Sequence, residues 1–158
     1  MLGAMMYATK KIMELLPNIH LLGALTLAYA VAFRKKAFIP LYLYIFIDGL
    51  FSGFSTWWLP YLYIWAPLVL AALLVPKSTP DRVAAFLFPV IAGLHGLLFG
   101  VMYAPAQALL FGLDFDGMIA WIIAGLPMDA IHAVSNFAFG FLVLPLSKLL
   151  VQLSHKRA

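Results

Sequence analysis

The sequence predicts an all-α membrane protein: six transmembrane helices, both termini cytoplasmic, one domain over residues 1–158. Three observations carry this. Hydrophobic residues make up 65% of the chain and charged residues 10%, against roughly 25% charged in soluble domains. A chain this short cannot hide that much apolar surface in a water-soluble core. The apolar runs are long and lack the strict alternation of barrel strands, so they read as helices. The basic residues fall into alternate loops, which fixes an orientation.

Span one covers residues 2–16 and ends at Pro17-Asn18; it is short for a bilayer that takes about 20 residues. Span two covers 19–33 and stops at Arg34-Lys35-Lys36. Span three covers 37–54, with Pro40 in its first turn, where a missing N–H costs little. Span four covers 59–75, and Pro76-Lys-Ser-Thr-Pro-Asp-Arg82 reads as a loop. Span five covers 83–103, with Pro89 as a kink. Residues 104–126 are interrupted by Gly112-Leu-Asp-Phe-Asp-Gly117, and 118–126 is too short to span. A long extracellular loop with an interfacial or re-entrant helix is expected there. Span six begins at Pro127, runs to 150 and bends at Pro145.

Arg34, Lys35 and Lys36, then Lys77 and Arg82, then Lys148, Lys156 and Arg157 all fall on one side of a six-span chain. The opposite loops hold no basic residue, and the longest carries Asp114 and Asp116. A seventh span would put the tail charges on the wrong side. The turn at 54–61 therefore faces outside, and the bilayer is an expected partner. The net charge of +4 belongs to these loops and does not read as nucleic-acid binding. Cysteine is absent, which excludes disulfides and thiol metal sites. No cleavable signal peptide stands out. Walker, glycine-rich phosphate-loop and HExxH patterns are missing, as are the similar halves of many secondary transporters. No enzymatic activity, resident metal or cofactor is expected.

Ionisable groups inside a membrane are costly and mark candidate sites. Here they are Lys10, Lys11, Glu14, Asp48, His95, Asp129 and His132. At about 1.5 Å per helical residue, Lys10 and Asp48 lie at matched depths roughly 9 Å below the outer surface. A Lys10–Asp48 or Lys11–Asp48 pair could tie spans one and three together, and Glu14 could reach Lys10 at i, i+4. Asp129, His132 and Asn136 share one face of span six. An acid, an imidazole and an amide offer a polar ligand both donors and acceptors. Above this belt stand Phe54, Trp57, Trp58, Tyr61, Tyr63 and Trp65. Tyr and Trp prefer membrane–water boundaries, so the cluster is either a plain interfacial belt or the rim of a small-molecule pocket. The polar groups, equally, either contact solute or join helices. An intramembrane enzyme built on Asp129, His132 and His95, acting on a lipid or quinone, and a structural subunit that binds no solute are the other readings. Ala4-Met-Met-Tyr-Ala8 and Gly96-Leu-Leu-Phe-Gly100 are small-xxx-small pairs that let helices approach closely.

Pro17-Asn-Ile-His20, Asp48-Gly-Leu-Phe-Ser-Gly-Phe54, Trp58-Leu-Pro-Tyr-Leu-Tyr-Ile-Trp65 and Gly125-Leu-Pro-Met-Asp-Ala-Ile-His-Ala-Val-Ser-Asn136 resemble stretches of the substrate-binding S components of energy-coupling factor transporters. The resemblance covers nearly the whole chain and implies a micronutrient-capture subunit of a bacterial cytoplasmic membrane. Its partner would be a coupling transmembrane subunit carrying two cytoplasmic ATPases. Ala4 and Ala8 would meet that subunit. The solute would bind from outside and be released inside when the protein topples. The implied pocket is lined by Asn18, His20, Trp57, Trp58, Tyr61, Trp65, His95, Asp129, His132 and Asn136. Nickel and cobalt members of the family carry histidine at position two; this chain has Leu2. Heme, lipoate, a pterin-like or purine-like ring, or an amino acid would fit an aromatic, histidine-lined pocket.

Overall fold

The computed structural model describes residues 1–156, so Arg157, one of the loop-assigned basic residues, lies outside the described residues. The described chain is all-helical: α1 (Leu2–Ile12), α2 (Leu22–Phe33), a 3-10 turn (Arg34–Ala37), α3 (Phe38–Ser52), α4 (Trp58–Ile64), α5 (Ala66–Leu74), α6 (Asp81–Leu97), α7 (Phe99–Phe111), α8 (Phe115–Gly140) and α9 (Val143–His155). The α4/α5, α6/α7 and α8/α9 junctions are breaks of one or two residues, at Trp65, Leu98 and residues 141–142. Among the described residues, the helices therefore form six rods.

Each break has a local cause. Pro67 lacks the N–H that would bond Tyr63, and its ring crowds that carbonyl, so the ladder fails at Trp65. Pro145 does the same to Phe141 at the start of α9. At Leu98 no proline is involved. The Gly100 N–H is diverted to the Asp129 carboxylate, at 3.1 and 3.2 Å. A side chain inserted into the ladder is a standard cause of a kink.

α2 is the central rod, with every residue from 22 to 30 buried. A helix that is apolar all round belongs in an interior, and its Gly and Ala residues let α5, α6, α8 and α9 come close. α6 and α7 run antiparallel to α8 in a register set by small residues. A methyl on Gly96 would lie 2.8 Å from the His132 carbonyl, and one on Gly93 3.2 Å from Phe137 Cβ. Gly140 receives Pro89 in the same way. The Gly96–Gly100 pair is thus an internal packing stripe. α1 lies on α3, with Gly3 against the Pro40 carbonyl and Met6 buried. Ala4, Met5, Ala8 and Ile12 are left exposed on its other side.

Charge gathers at one end of the bundle. Arg34 donates to the carbonyls of Ala72, Leu73 and Val75 at the end of α5, where helix carbonyls lack intrahelical partners. Lys148 pairs with Asp81 at 2.5 Å. Arg34, Lys77, Thr79 and Asp81 share a cavity of about 340 Å3.

The structure corrects the expectation for residues 104–126. They form helix on both sides of a three-residue turn, 112–114, and not a long loop. Gly112 ends α7 in the left-handed region (φ 67°), and Asp114 caps α8 by accepting from the Gly117 N–H at 2.8 Å. The Gly-Leu-Asp-Phe-Asp-Gly stretch is a stop signal followed at once by a start signal. Pro127 accordingly lies inside α8 and does not begin a helix.

Two helical stretches are long and apolar enough to cross a bilayer: Asp81–Phe111, 31 residues containing an 18-residue window of mean hydropathy 2.0, and Phe115–Gly140, 26 residues containing one of mean hydropathy 1.5. Large apolar side chains cover the outside of the bundle, among them Ile39, Phe51, Leu74 and Phe86. Asp48, His95, Asp129, His132 and Asn136 are buried inside it.

Candidate functional site

Away from the basic end, five of the expected site residues meet at one interior point. His20, on the segment between α1 and α2, sets its ring 4.9 Å from His132 of α8 and 6.1 Å from Trp65. Trp65, at the α4/α5 break, stacks on His95 of α6 at 5.3 Å. Phe99, first residue of α7, packs edge-on to His132 at 4.9 Å and to Trp65 at 5.7 Å. Tyr61 and then Trp57 continue the row toward the surface, with ring spacings of 6.1 and 5.5 Å. Asn136 lies one turn from His132, with its amide against Gly23 of α2.

The polar atoms of this cluster are mostly without partners. His20 Nδ1, Trp65 Nε1, His95 Nδ1, His132 Nε2 and both amide atoms of Asn136 are buried and make no hydrogen bond; so is Thr26 Oγ1, one turn beyond Gly23 on α2. Leaving such a group dry and unpaired costs about 1–3 kcal/mol, and native interiors avoid it. Six such atoms on five neighbouring residues make this the interior point where unpaired polar groups concentrate. His95 also has its tautomer set. Its Nε2 lies 2.9 Å from the Ile64 carbonyl, which α4 leaves free at the Trp65 break, so Nε2 carries the proton and Nδ1 offers a lone pair. A groove of about 220 Å3 between α5 and α6, lined by Leu68, Ala71, Ile91 and Leu98, reaches His95 from the side.

The remaining expected site residues hold the site in place. Asp129 uses its carboxylate on Gly100 at the start of α7, where helix amides lack partners and the dipole favours an anion. Asn18, at a positive φ of 57°, donates from Nδ2 to the Met128 carbonyl and accepts from Ser135 Oγ on its own carbonyl. These two bonds fasten residues 13–21 over the cluster. Trp58 faces away: its Nε1 donates to the Ile45 carbonyl at 2.8 Å, and its ring packs against Phe54. It joins α4 to α3.

Of the two ion pairs expected for Asp48, Lys10–Asp48 forms at 2.5 Å. Tyr44 and Ser52 also donate to Asp48, which is wholly buried. Lys10 Nζ lies 5.3 Å from the Trp57 ring and 5.5 Å from the Tyr61 ring, close enough for cation–π attraction. Lys11 turns outward to Glu14 at 2.9 Å. It takes the partner expected for Lys10, because Asp48 already holds Lys10. Among the described residues, no group of three His, Cys, Asp or Glu side chains is placed to hold a metal ion.

Phe99, Ser135 and Thr26 were not legible as site residues. An i, i+4 relation to His95 was the only sequence sign of Phe99, and an aromatic inside an apolar run carries no other mark. Comparisons with known protein families, with curated proteins and with solved structures find no match for this chain.

Proposed function

We propose that this chain is a membrane-embedded solute-capture protein, acting as the substrate-binding component of an energy-coupling-factor-type importer. The observation that carries the reading is the set of unpaired polar atoms on His20, Trp65, His95, His132 and Asn136, walled by aromatic rings. A concave site of apolar walls with a few convergent polar groups is what small-molecule binding uses. A purely structural interior would have paired these atoms, as it does for Lys10, Asp48 and Asp129.

Bilayer residence is supported by the apolar outer surface around a polar interior, and by the two long apolar stretches. On this reading the six rods are six spans. The basic end, with Arg34, Lys77 and Lys148, faces the cytoplasm by the positive-inside rule, and the cluster lies toward the outer face beneath residues 13–21. The transporter assignment rests on the stretches that resemble S components and on the placement of Ala4 and Ala8. Both small side chains lie exposed on α1, while Gly3 and Met6 of the same helix pack inward. That leaves a shallow face for the coupling subunit, whose ATPases would supply the energy.

Thermal-shift screening of the purified protein against water-soluble vitamins and their heterocyclic precursors tests the capture reading. At least one compound should raise the melting temperature, and His132→Ala or Asn136→Leu should abolish that shift while leaving helix content unchanged. A stabilising compound that acts equally on both variants would place capture elsewhere.

A further inference from the structure

We infer that the captured solute is a flat, uncharged nitrogen heterocycle with both donors and acceptors along its edge. This rests on the capture reading of the same cluster and adds the chemistry of the occupant.

The unpaired atoms define the chemistry the cluster offers. Trp65 Nε1 is an N–H donor, the Asn136 amide offers both kinds of group, and His95 Nδ1 offers a lone pair because Nε2 is committed to Ile64. His20 Nδ1 and His132 Nε2 can each serve in either role, according to tautomer. A ligand that matched only acceptors, or only donors, would leave part of this set unpaired. At pH 7 indole and amide carry no charge, and imidazole, with an ordinary pKa of about 6.5, is mostly neutral.

The fixed charges beside the cluster are already answered. Lys10 is neutralised by Asp48, and Asp129 is held by the Gly100 amide. A carboxylate or phosphate on the solute would find no free cation among the residues that carry the unpaired atoms, and an ammonium no free anion. Burying an unmatched charge costs far more than burying a matched amide. The surrounding side chains are aromatic and pack on one another, Trp65 on His95 with 30° between their planes and Phe99 edge-on to His132, and ring faces and edges of this kind accept a planar aromatic body by stacking. Heme with its propionates, lipoate and free amino acids all fit this electrostatic setting worse than a pterin-like or purine-like ring.

Matched pairs differing only in charge provide the test: pterin against pterin-6-carboxylate, and nicotinamide against nicotinate, titrated calorimetrically into the whole protein in detergent. The expected result is at least about tenfold tighter binding of a neutral member, a difference equivalent to about 1.4 kcal/mol, with loss of that binding in Asn136→Leu. Equal or tighter binding of the charged partner overturns the inference and leaves capture standing. Silence from all four overturns it too if native mass spectrometry finds a charged solute retained. If no solute of any kind is retained, the capture reading falls with it.

Discussion

At the residue scale, the interior polar groups divide into those that are paired and those that have no partner within the chain. Lys10 and Asp48 belong to the first kind. Asp48 is wholly buried and accepts from Lys10, Tyr44 and Ser52, so removing Lys10 strands a buried charge. Lys10→Met should destabilise by about 3 kcal/mol, and the double change with Asp48→Leu by less than Lys10→Met alone. Thermal melting of the three variants checks this; a double variant weaker than both singles would contradict it. Asp129 is also of the first kind. Asp129→Asn should cost about 1–2 kcal/mol by weakening the cap on α7, with little effect on solute retention, whereas His132→Ala should abolish retention at small cost in stability. Equal loss of retention in both would return Asp129 to the binding set. The stripe Asp129, His132, Asn136 was readable from spacing alone, and so was a Lys10–Asp48 pair. The division of labour within the stripe was not, because it depends on Gly100 arriving from another rod.

At the element scale, the breaks at Trp65 and Leu98 build the site. One frees the Ile64 carbonyl for His95; the other brings the α7 amide to Asp129. Both put aromatic residues, Trp65 and Phe99, where the helices change direction. The antiparallel packing of α6 and α7 on α8 depends on glycine. Gly96→Ala would press a methyl to 2.8 Å from the His132 backbone, and should destabilise by about 1–3 kcal/mol and displace the His132 ring. A melting temperature within a degree of the parent would show the stripe to be slack. Residues 13–21 cover the cluster on the Asn18–Met128 and Asn18–Ser135 bonds. Ser135→Ala should speed solute release by roughly tenfold, the worth of one hydrogen bond, as read by stopped-flow fluorescence of Trp65 and its neighbours. An unchanged release rate would mean the segment does not limit exit. Helix order and five of the six rods could be read from hydropathy. Residues 104–126 could not, since a glycine stop and an aspartate cap two residues apart look like a loop until the tight turn between them is seen.

At the scale of the whole molecule, apolar side chains face outward and the polar groups face one another. That inversion was legible in composition. Arg34, Lys77 and Lys148 lie at one end and the cluster toward the other, a polarity that the proposed capture on one side and delivery on the other would use. Ala4→Leu and Ala8→Leu should leave solute binding intact and reduce reconstituted uptake at least tenfold, because each bulky side chain fills the shallow face of α1. Uptake at parental rates would remove α1 from the coupling interface. The central claim is that a solute completes the cluster, and native mass spectrometry of the gently purified protein tests it most directly. The parent should carry one small polar molecule per chain, lost in Asn136→Leu. A parent that carries only lipid, identical to Asn136→Leu, would contradict the account.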